Sequence, residues 1–124
     1  MATQDDVRRI ALALPETAED PNSFSFNVSG KAFVWAWLER LEPKKARVPS
    51  SEVVAIRIAH DSEKEALIDM DPEVFFTEAH YNGYPAILVR LDAVDLGLLE
   101  KLLRDAWRIR APRQLLREVE AGRR

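Results

Sequence analysis

The sequence predicts an α+β fold, a two-layer sandwich in which an antiparallel sheet carries helices on one face. Apolar residues recur at helical spacing at both ends of the chain, and short alternating segments fill its middle. The strands do not alternate regularly with helices, as a parallel sheet would require. The 124 residues are 47% hydrophobic and 31% charged, which is ordinary globular composition. We therefore expect one domain spanning residues 1–124.

The first helix is predicted to begin at Thr3, which forms a capping-box pattern with Asp6, and to stop at Pro15. Its buried face consists of apolar residues at helical spacing, namely Val7, Ile10, Ala11 and Leu14. The acidic stretch at 16–21 is predicted to be a polar connection. It contains no dense oxygen-ligand loop, so we expect no metal site there.

Two strands joined by a Ser29-Gly30 hairpin turn are predicted over residues 23–28 and 32–38. The second is apolar on both sides, with Phe33, Trp35 and Trp37 opposing Val34, Ala36 and Leu38. Because large aromatic side chains dominate core burial, we expect the three aromatic residues to pack under the helices. A platform on which nucleic-acid bases stack is the alternative.

A charged loop at 39–52 and a third strand at 53–59 follow. One face of that strand is apolar, with Val54, Ile56 and Ile58. The loop contains four basic residues, Arg40, Lys44, Lys45 and Arg47, interleaved with glutamates. Such a loop would suit a hairpin tip that contacts phosphates, and a solvated charged loop is the alternative.

An S-x-x-E pattern at Ser62 predicts a capped helix to about Met70, with Ala66, Leu67 and Met70 as its apolar stripe. A short strand at 73–77, the His80–Pro85 turn and a strand at 86–91 complete the sheet.

Asp92 is predicted to cap the longest helix, which runs to about Ile109, with Asp95 near its positive end. Its core face consists of Leu96, Leu99, Leu103 and Ala106. Pro112 opens a last helix, which Gly122 ends. The long helix also carries a basic stripe, formed by Lys101, Arg104 and Arg108. Such a stripe opposite an apolar face is typical of any surface helix.

Several classes of function are disfavoured by what the sequence lacks. Without cysteine, disulfides and thiolate sites are excluded, and two histidines, His60 and His80, nearly exclude structural zinc. No Gly-rich phosphate loop, G-x-S-x-G or H-E-x-x-H motif occurs. We therefore expect no enzymatic activity and no cofactor, and an enzyme that uses His80 as general base ranks last.

The net charge of −3 disfavours a strongly electrostatic nucleic-acid binder, although a local positive surface is compatible with it. The amino terminus lacks the basic and apolar regions of a secretory signal, and no segment has about 20 apolar residues. We expect a cytoplasmic protein without membrane contact.

Several motifs occur in a characteristic order: Ala13-Leu14-Pro15-Glu16, Gly30-Lys31, His80-Tyr81-Asn82, Asp92 and Ala106-Trp107. In order and spacing they resemble the MmcQ/YjbR family over residues 3–116. The resemblance implies a CyaY-like (frataxin-like) sandwich, and members are described as having a double-wing DNA-binding arrangement. Gly83 stands where a lysine is typical, which removes one phosphate contact from the His80 turn.

The resemblance implies a bacterial DNA-binding or regulatory accessory protein that is not an enzyme. Its expected partner is double-stranded DNA, contacted by Lys31, Lys44, Lys45, Arg47, His80, Asn82 and Tyr84. The alternative is a small-molecule-binding protein with an aromatic pocket near Trp35, Trp37 and the His80–Tyr84 turn. The sequence leaves the oligomeric state open.

Overall fold

A computed structural model describes residues 1–122, over which the chain forms four α-helices and six β-strands. The helices are α1 (Gln4–Leu12), α2 (Glu63–Met70), α3 (Leu96–Arg110) and α4 (Arg113–Glu120). The strands are β1 (Thr17–Glu19), β2 (Ser25–Val28), β3 (Lys31–Glu39), β4 (Val48–Arg57), β5 (Phe75–Phe76) and β6 (Ala86–Arg90). Neighbouring strands are antiparallel, in the order β1-β2-β3-β4-β6-β5.

All four helices pack on the same face of the sheet, which confirms the predicted two-layer α+β fold. The main core contains residues of α1, α3 and the central strands together with Leu115 of α4, and α2 residues pack at its margin. Its largest fully buried side chains include Phe26, Phe33, Ile56, Ile87, Leu99 and Leu103. Within residues 1–122, no helix is long and apolar enough to cross a membrane.

Helix α1 begins as predicted. The Thr3 backbone N–H donates to the Asp6 carboxylate at 2.9 Å, and the Asp6 N–H donates to the Thr3 hydroxyl at 3.4 Å. Val7, Ile10 and Ala11 are buried in the main core. The capping box therefore fixes the start of the helix, and its apolar spacing fixes which face is buried.

The predicted polar connection after α1 is wrong, because residues 17–19 form strand β1 at the edge of the sheet. Thr17 lies opposite Val28, and Glu19 opposite Phe26. The Arg8 guanidinium binds the Glu19 carboxylate at 2.9 and 3.1 Å, which ties this short strand to α1. A three-residue strand with alternating half-buried polar side chains is too short to show periodicity.

The prediction that Phe33, Trp35 and Trp37 share one face is also wrong. Phe26 pairs with Val34 but Asn27 pairs with Ala32, so Phe33 is an extra residue in a β-bulge of β3. Phe33 and Val34 both lie in the main core as a result. Trp35 and Trp37 instead pack with the smaller cluster on the opposite sheet face.

Strand β4 is longer than predicted, so the charged loop shrinks to residues 40–47. The pairing is interrupted where Ala36 faces Val54 but Leu38 faces Pro49. At this irregularity the Ser50 hydroxyl accepts hydrogen bonds from two following backbone N–H groups, at 3.2 and 3.1 Å. The predicted buried face of the strand, Val54, Ile56 and Ile58, is confirmed.

The predicted caps of α2 and α3 are wrong. Ser62 makes no side-chain cap hydrogen bond, and instead the Glu63 carboxylate accepts the backbone N–H of His60 at 2.9 Å. Asp95, not Asp92, caps α3, and it accepts the Leu98 N–H at 3.2 Å. Ser62 still occupies the N-cap position of α2 but makes no capping bond, whereas the α3 prediction placed the cap three residues too early. Three apolar-face assignments also fail, since Ala66 is exposed, Met70 is 59% exposed and Leu96 is 36% exposed.

The competing assignments for α3 differ in their expected effect on stability. Asp95→Ala should lower the free energy of unfolding by about 1 kcal/mol, because the Leu98 N–H loses its acceptor. Asp92→Ala, three residues earlier at an exposed position, should change it by less than about 0.5 kcal/mol. Urea unfolding of both variants is the measurement. Equal losses would contradict the observed cap.

Candidate functional site

The sheet face opposite the helices carries a second apolar cluster, built around Ala55, Tyr81, Ala86 and Leu88. Trp35, Trp37, Val53 and Phe76 pack against it and stay partly exposed. We call this surface the open face. The predicted burial of the two tryptophans under the helices is therefore wrong, because the bulge at Phe33 directs them to the other side.

Residues 77–85, which we call the covering segment, lie across part of the open face. The segment contains a 3₁₀ turn at Ala79–Tyr81. The Tyr81 ring is buried, and its hydroxyl accepts a hydrogen bond from Trp35 Nε1 at 3.2 Å. The Tyr84 ring lies edge-on to Trp35, with ring centroids 6.2 Å apart. Burial and a polar bond thus hold the segment on the sheet.

The Glu78 carboxylate links the covering segment to strand β3 and to the loop at 40–47. Glu78 Oε1 accepts hydrogen bonds from Trp37 Nε1 and from an Arg47 guanidinium nitrogen, both at 3.0 Å. The same Arg47 nitrogen donates to the Leu38 carbonyl at 2.8 Å. The Arg47 and Glu78 side chains are only 24% and 25% exposed, so solvent screens this ion pair incompletely. In this conformation Glu78 already pairs the charge of Arg47, which weakens the attraction of Arg47 for an external anion.

Helix α2 is attached to the covering segment by an almost buried lysine. Lys64 Nζ donates to the Tyr81 carbonyl and pairs with Asp61 at 2.6 Å. A lysine is rarely buried unless its charge is paired, and here the ion pair and the carbonyl meet that requirement.

Burial raises the pKa of the Tyr81 phenol above its ordinary value, and the N–H donated by Trp35 acts in the opposite direction. The first effect is larger, since a phenolate loses more hydration than a phenol when it is buried. The folded protein therefore favours the neutral Tyr81.

The predicted DNA contacts His80, Asn82 and Tyr84 are all exposed on the covering segment. The His80 ring makes an edge contact with Tyr81 at a centroid distance of 5.6 Å. The turn after it depends on Gly83, whose φ of +81° is unfavourable for other residues.

The loop at 40–47 presents two exposed lysines, Lys44 and Lys45, as predicted for a hairpin tip. Arg40 does not join them, because its guanidinium bonds the carbonyls of Pro43 and Lys45, at 3.3 and 2.8 Å. Within residues 1–122, neither lysine side chain takes part in a hydrogen bond or an ion pair. Their charges are free to meet an external anion.

Lys31 is exposed at the opposite end of β3 from this loop. At about 3.3 Å per residue, the strand separates the two ends by about 26 Å. The covering segment follows the open face between them, since Glu78 contacts Trp37 and Tyr84 contacts Trp35. The predicted residues thus form a row along the sheet rather than a compact patch.

Sequence reasoning did not find Glu78, Lys64 or Arg57 at this site. The Arg57 guanidinium lies over the Tyr84 ring, 5.7 Å from its centroid. Glu78 and Trp37 are 41 positions apart along the chain, and no spacing rule connects residues so distant. Only the fact that Glu78 precedes the aromatic turn by two residues pointed towards it.

The predicted aromatic pocket between Trp35, Trp37 and the His80–Tyr84 turn is replaced by a depression beside Trp35 alone. A shallow depression of about 230 Å³ lies beside Trp35, with Phe24, Leu38 and Pro49 among its lining residues. Neither Trp37 nor the His80 turn lines this depression. The covering segment instead packs directly against the tryptophans.

Comparison with known proteins agrees with this architecture. The YjbR family model matches residues 12–109. An uncharacterized protein of Mycobacterium bovis and another of Mycobacterium tuberculosis are each 39% identical to the chain over 128 aligned positions, covering 98% of both sequences. The crystal structure of Deinococcus radiodurans protein DR2400, which has the family-model domain DUF419, is similar with a TM-score of 0.69 and 20% identity. It covers 98% of this chain and 89% of that one, and at such identity the likeness concerns the fold alone.

The raised pKa of Tyr81 predicts a distinct alkaline transition. Its stabilising effect is complete below about pH 10 and is lost as the pH rises through the higher pKa of the folded protein. Tyr81→Phe should therefore remove the later phase of a tyrosinate absorbance titration, whereas Tyr84→Phe should retain it. Tyr81→Phe should also cost about 1 kcal/mol at neutral pH, because Trp35 loses its acceptor. A single phase in the unsubstituted protein would contradict this assignment.

Proposed function

The chain belongs to the YjbR family, and we propose that it binds double-stranded DNA through phosphate contacts and catalyses no reaction. The observation that carries the proposal is the β3–β4 loop, where Lys44 and Lys45 are exposed and free of ion pairs within the described residues 1–122. Lysine ammonium groups on a projecting loop suit phosphates, because they act as point charges without strict geometry.

Contacts of this type would position the protein on a duplex rather than read its sequence. Base readout needs a helix or strand that enters a groove and side chains matched to base edges. The loop offers two lysines and little else that is specific. We therefore propose binding with low sequence preference, in which affinity depends strongly on salt.

The Arg47–Glu78 ion pair would set the strength of this binding. Glu78 already pairs the charge of Arg47 through one guanidinium nitrogen, so a phosphate gains less from Arg47 than it would from an unpaired arginine. The 3.0 Å contacts from Arg47 and Trp37 to the same carboxylate oxygen hold Glu78 in this position. Glu78 would thus limit affinity in the unbound protein.

The other proposed contacts extend the footprint along the open face. His80, Asn82 and Tyr84 lie on the covering segment, and Lys31 lies about 26 Å from the loop, given about 3.3 Å per strand residue. At 3.4 Å per base pair along the axis, this length corresponds to about eight base pairs. A duplex lying along the open face would reach both ends.

A small molecule bound between the tryptophans is a weaker proposal. Both indole N–H groups of the open face already have acceptors, Tyr81 for Trp35 and Glu78 for Trp37. A ligand there would have to replace these bonds as well as the covering segment. Catalysis by His80 is weaker still, since its ring makes an edge contact with Tyr81 and, within residues 1–122, no hydrogen bond that would orient a general base.

The phosphate contacts predict a specific response to charge removal. Lys44→Ala/Lys45→Ala should weaken binding of a labelled duplex and reduce the slope of log K against log salt by about two. Fluorescence anisotropy over a range of salt concentrations measures both quantities. Arg104→Ala/Arg113→Ala removes the same charge from exposed positions on the helical layer and serves as the matched control. If both pairs lower the affinity equally, the loop is not the contact.

Removing the Glu78 charge should have the opposite effect. Glu78→Gln keeps an acceptor for Trp37 but weakens the hold on Arg47, so duplex affinity should rise several-fold, with a salt slope steeper by about one. Glu73→Gln removes an exposed carboxylate outside the open-face contacts and controls for net charge. Tryptophan emission of both variants should confirm that the covering segment stays in place. If duplex affinity rises equally in the two variants, the effect comes from the change in net charge and not from the Arg47–Glu78 ion pair.

A further inference from the structure

A second concave surface lies on the helical layer, away from the open face. It is a cleft of about 510 Å³ flanked by α2 and α3. Its apolar lining includes Ile58, Leu67, Met70, Leu98, Leu102 and Ile109. We propose that this cleft binds a small molecule with an apolar body and one carboxylate group. The proposal rests on the lining of this cleft and not on the proposed DNA binding.

The size and lining of the cleft match those of small-molecule sites. Such sites usually enclose about 300–1,000 Å³ and are lined mainly by apolar side chains with a few polar groups. Met70 is 59% exposed and Ile109 37% exposed on its walls. An apolar ligand would remove both from water, and the flexible Met70 side chain can adapt to its shape.

The charged side chains on the rim of the cleft determine which polar group of a ligand can bind there. The Glu63 carboxylate accepts the His60 N–H at 2.9 Å, and Lys101 pairs with Asp105 at 2.7 Å. Arg57 bonds the Ile58 carbonyl and lies over the Tyr84 ring. Each of these charges therefore has a close partner within the described chain.

Arg108 is the exception on this rim. Its contact with Glu120 is long, at 3.9 Å, and the two side chains are 55% and 64% exposed. An exposed pair at this distance contributes little energy. The guanidinium is thus available to a ligand, and its planar fork matches a carboxylate with two parallel hydrogen bonds. This complementarity selects an anionic rather than a cationic or neutral ligand.

Octanoate, below its micelle-forming concentration, is a suitable probe, with octanamide as its neutral analogue. Titration of the full chain, with methyl groups labelled for NMR, should give saturable shifts at Ile58, Leu67 and Leu102. Octanamide should shift the same methyls with about tenfold weaker affinity, the factor that corresponds to one lost charge-assisted contact.

Two variants separate the contributions of charge and shape. Arg108→Gln should weaken octanoate binding about tenfold and leave octanamide unchanged, while Arg104→Gln, an exposed residue of α3 that does not line the cleft, should affect neither. Ala59→Phe places a ring in the cleft from an exposed lining position and should block both ligands. Thermal unfolding of each variant checks that the fold is retained.

Four results would overturn the proposal. The first is the absence of saturable shifts at millimolar octanoate. The second is a set of shifts confined to the Trp35 and Trp37 indole groups, which would place the ligand on the open face. The third is equal octanoate affinity in the Arg108→Gln and unsubstituted proteins. Methyl shifts that depend on protein concentration without ligand would assign the cleft to a second copy of the chain instead, and would also reject the proposal.

Discussion

The bulge at Phe33 determines how the rest of the molecule is arranged. Because β3 gains one residue there, Phe33 and Val34 both enter the core beneath the helices, and the two tryptophans that follow turn to the opposite face. A sheet with two apolar faces needs cover on both. The helices cover one face, and the covering segment, residues 77–85, shields part of the other. Glu78, Tyr81 and Tyr84 lie on the open face for this reason.

A short polar segment cannot cover a sheet by apolar burial alone, so specific bonds supplement it. Tyr81 and Glu78 accept the indole N–H groups of Trp35 and Trp37, which would otherwise lose hydrogen bonds on burial. The cover also changes the electrostatics of the proposed DNA site, because the carboxylate that satisfies Trp37 neutralises Arg47 as well. The same contacts therefore stabilise the fold and oppose anion binding at Arg47. Among the described residues, the unpaired positive charges near this site are those of the loop lysines, Lys44 and Lys45.

Periodic elements were predictable from the sequence, whereas features fixed by one residue were not. The buried faces of α1 and β4 follow from spacing, and each was found as expected. The bulge was not predictable, because an extra residue in an apolar strand leaves no trace in its composition. The cap of α3 required a choice between Asp92 and Asp95, which geometry alone decides. The exposure of Lys44 and Lys45 could be predicted from their loop, but the pairing of Arg47 with Glu78 depends on how distant segments pack.

The two proposed sites share Arg57 and are also joined through helix α2, which would connect them physically. Arg57 lines the cleft, yet its guanidinium lies over Tyr84 on the covering segment. Helix α2 forms one wall of the cleft, and its Lys64 donates to the Tyr81 carbonyl. A ligand that shifts α2 would therefore act on the covering segment, and through Glu78 on Arg47. Coupling of this kind is reciprocal, so DNA that displaces Glu78 must change ligand affinity in the cleft by the same factor. Its sign depends on whether the ligand tightens or loosens the Lys64 contact.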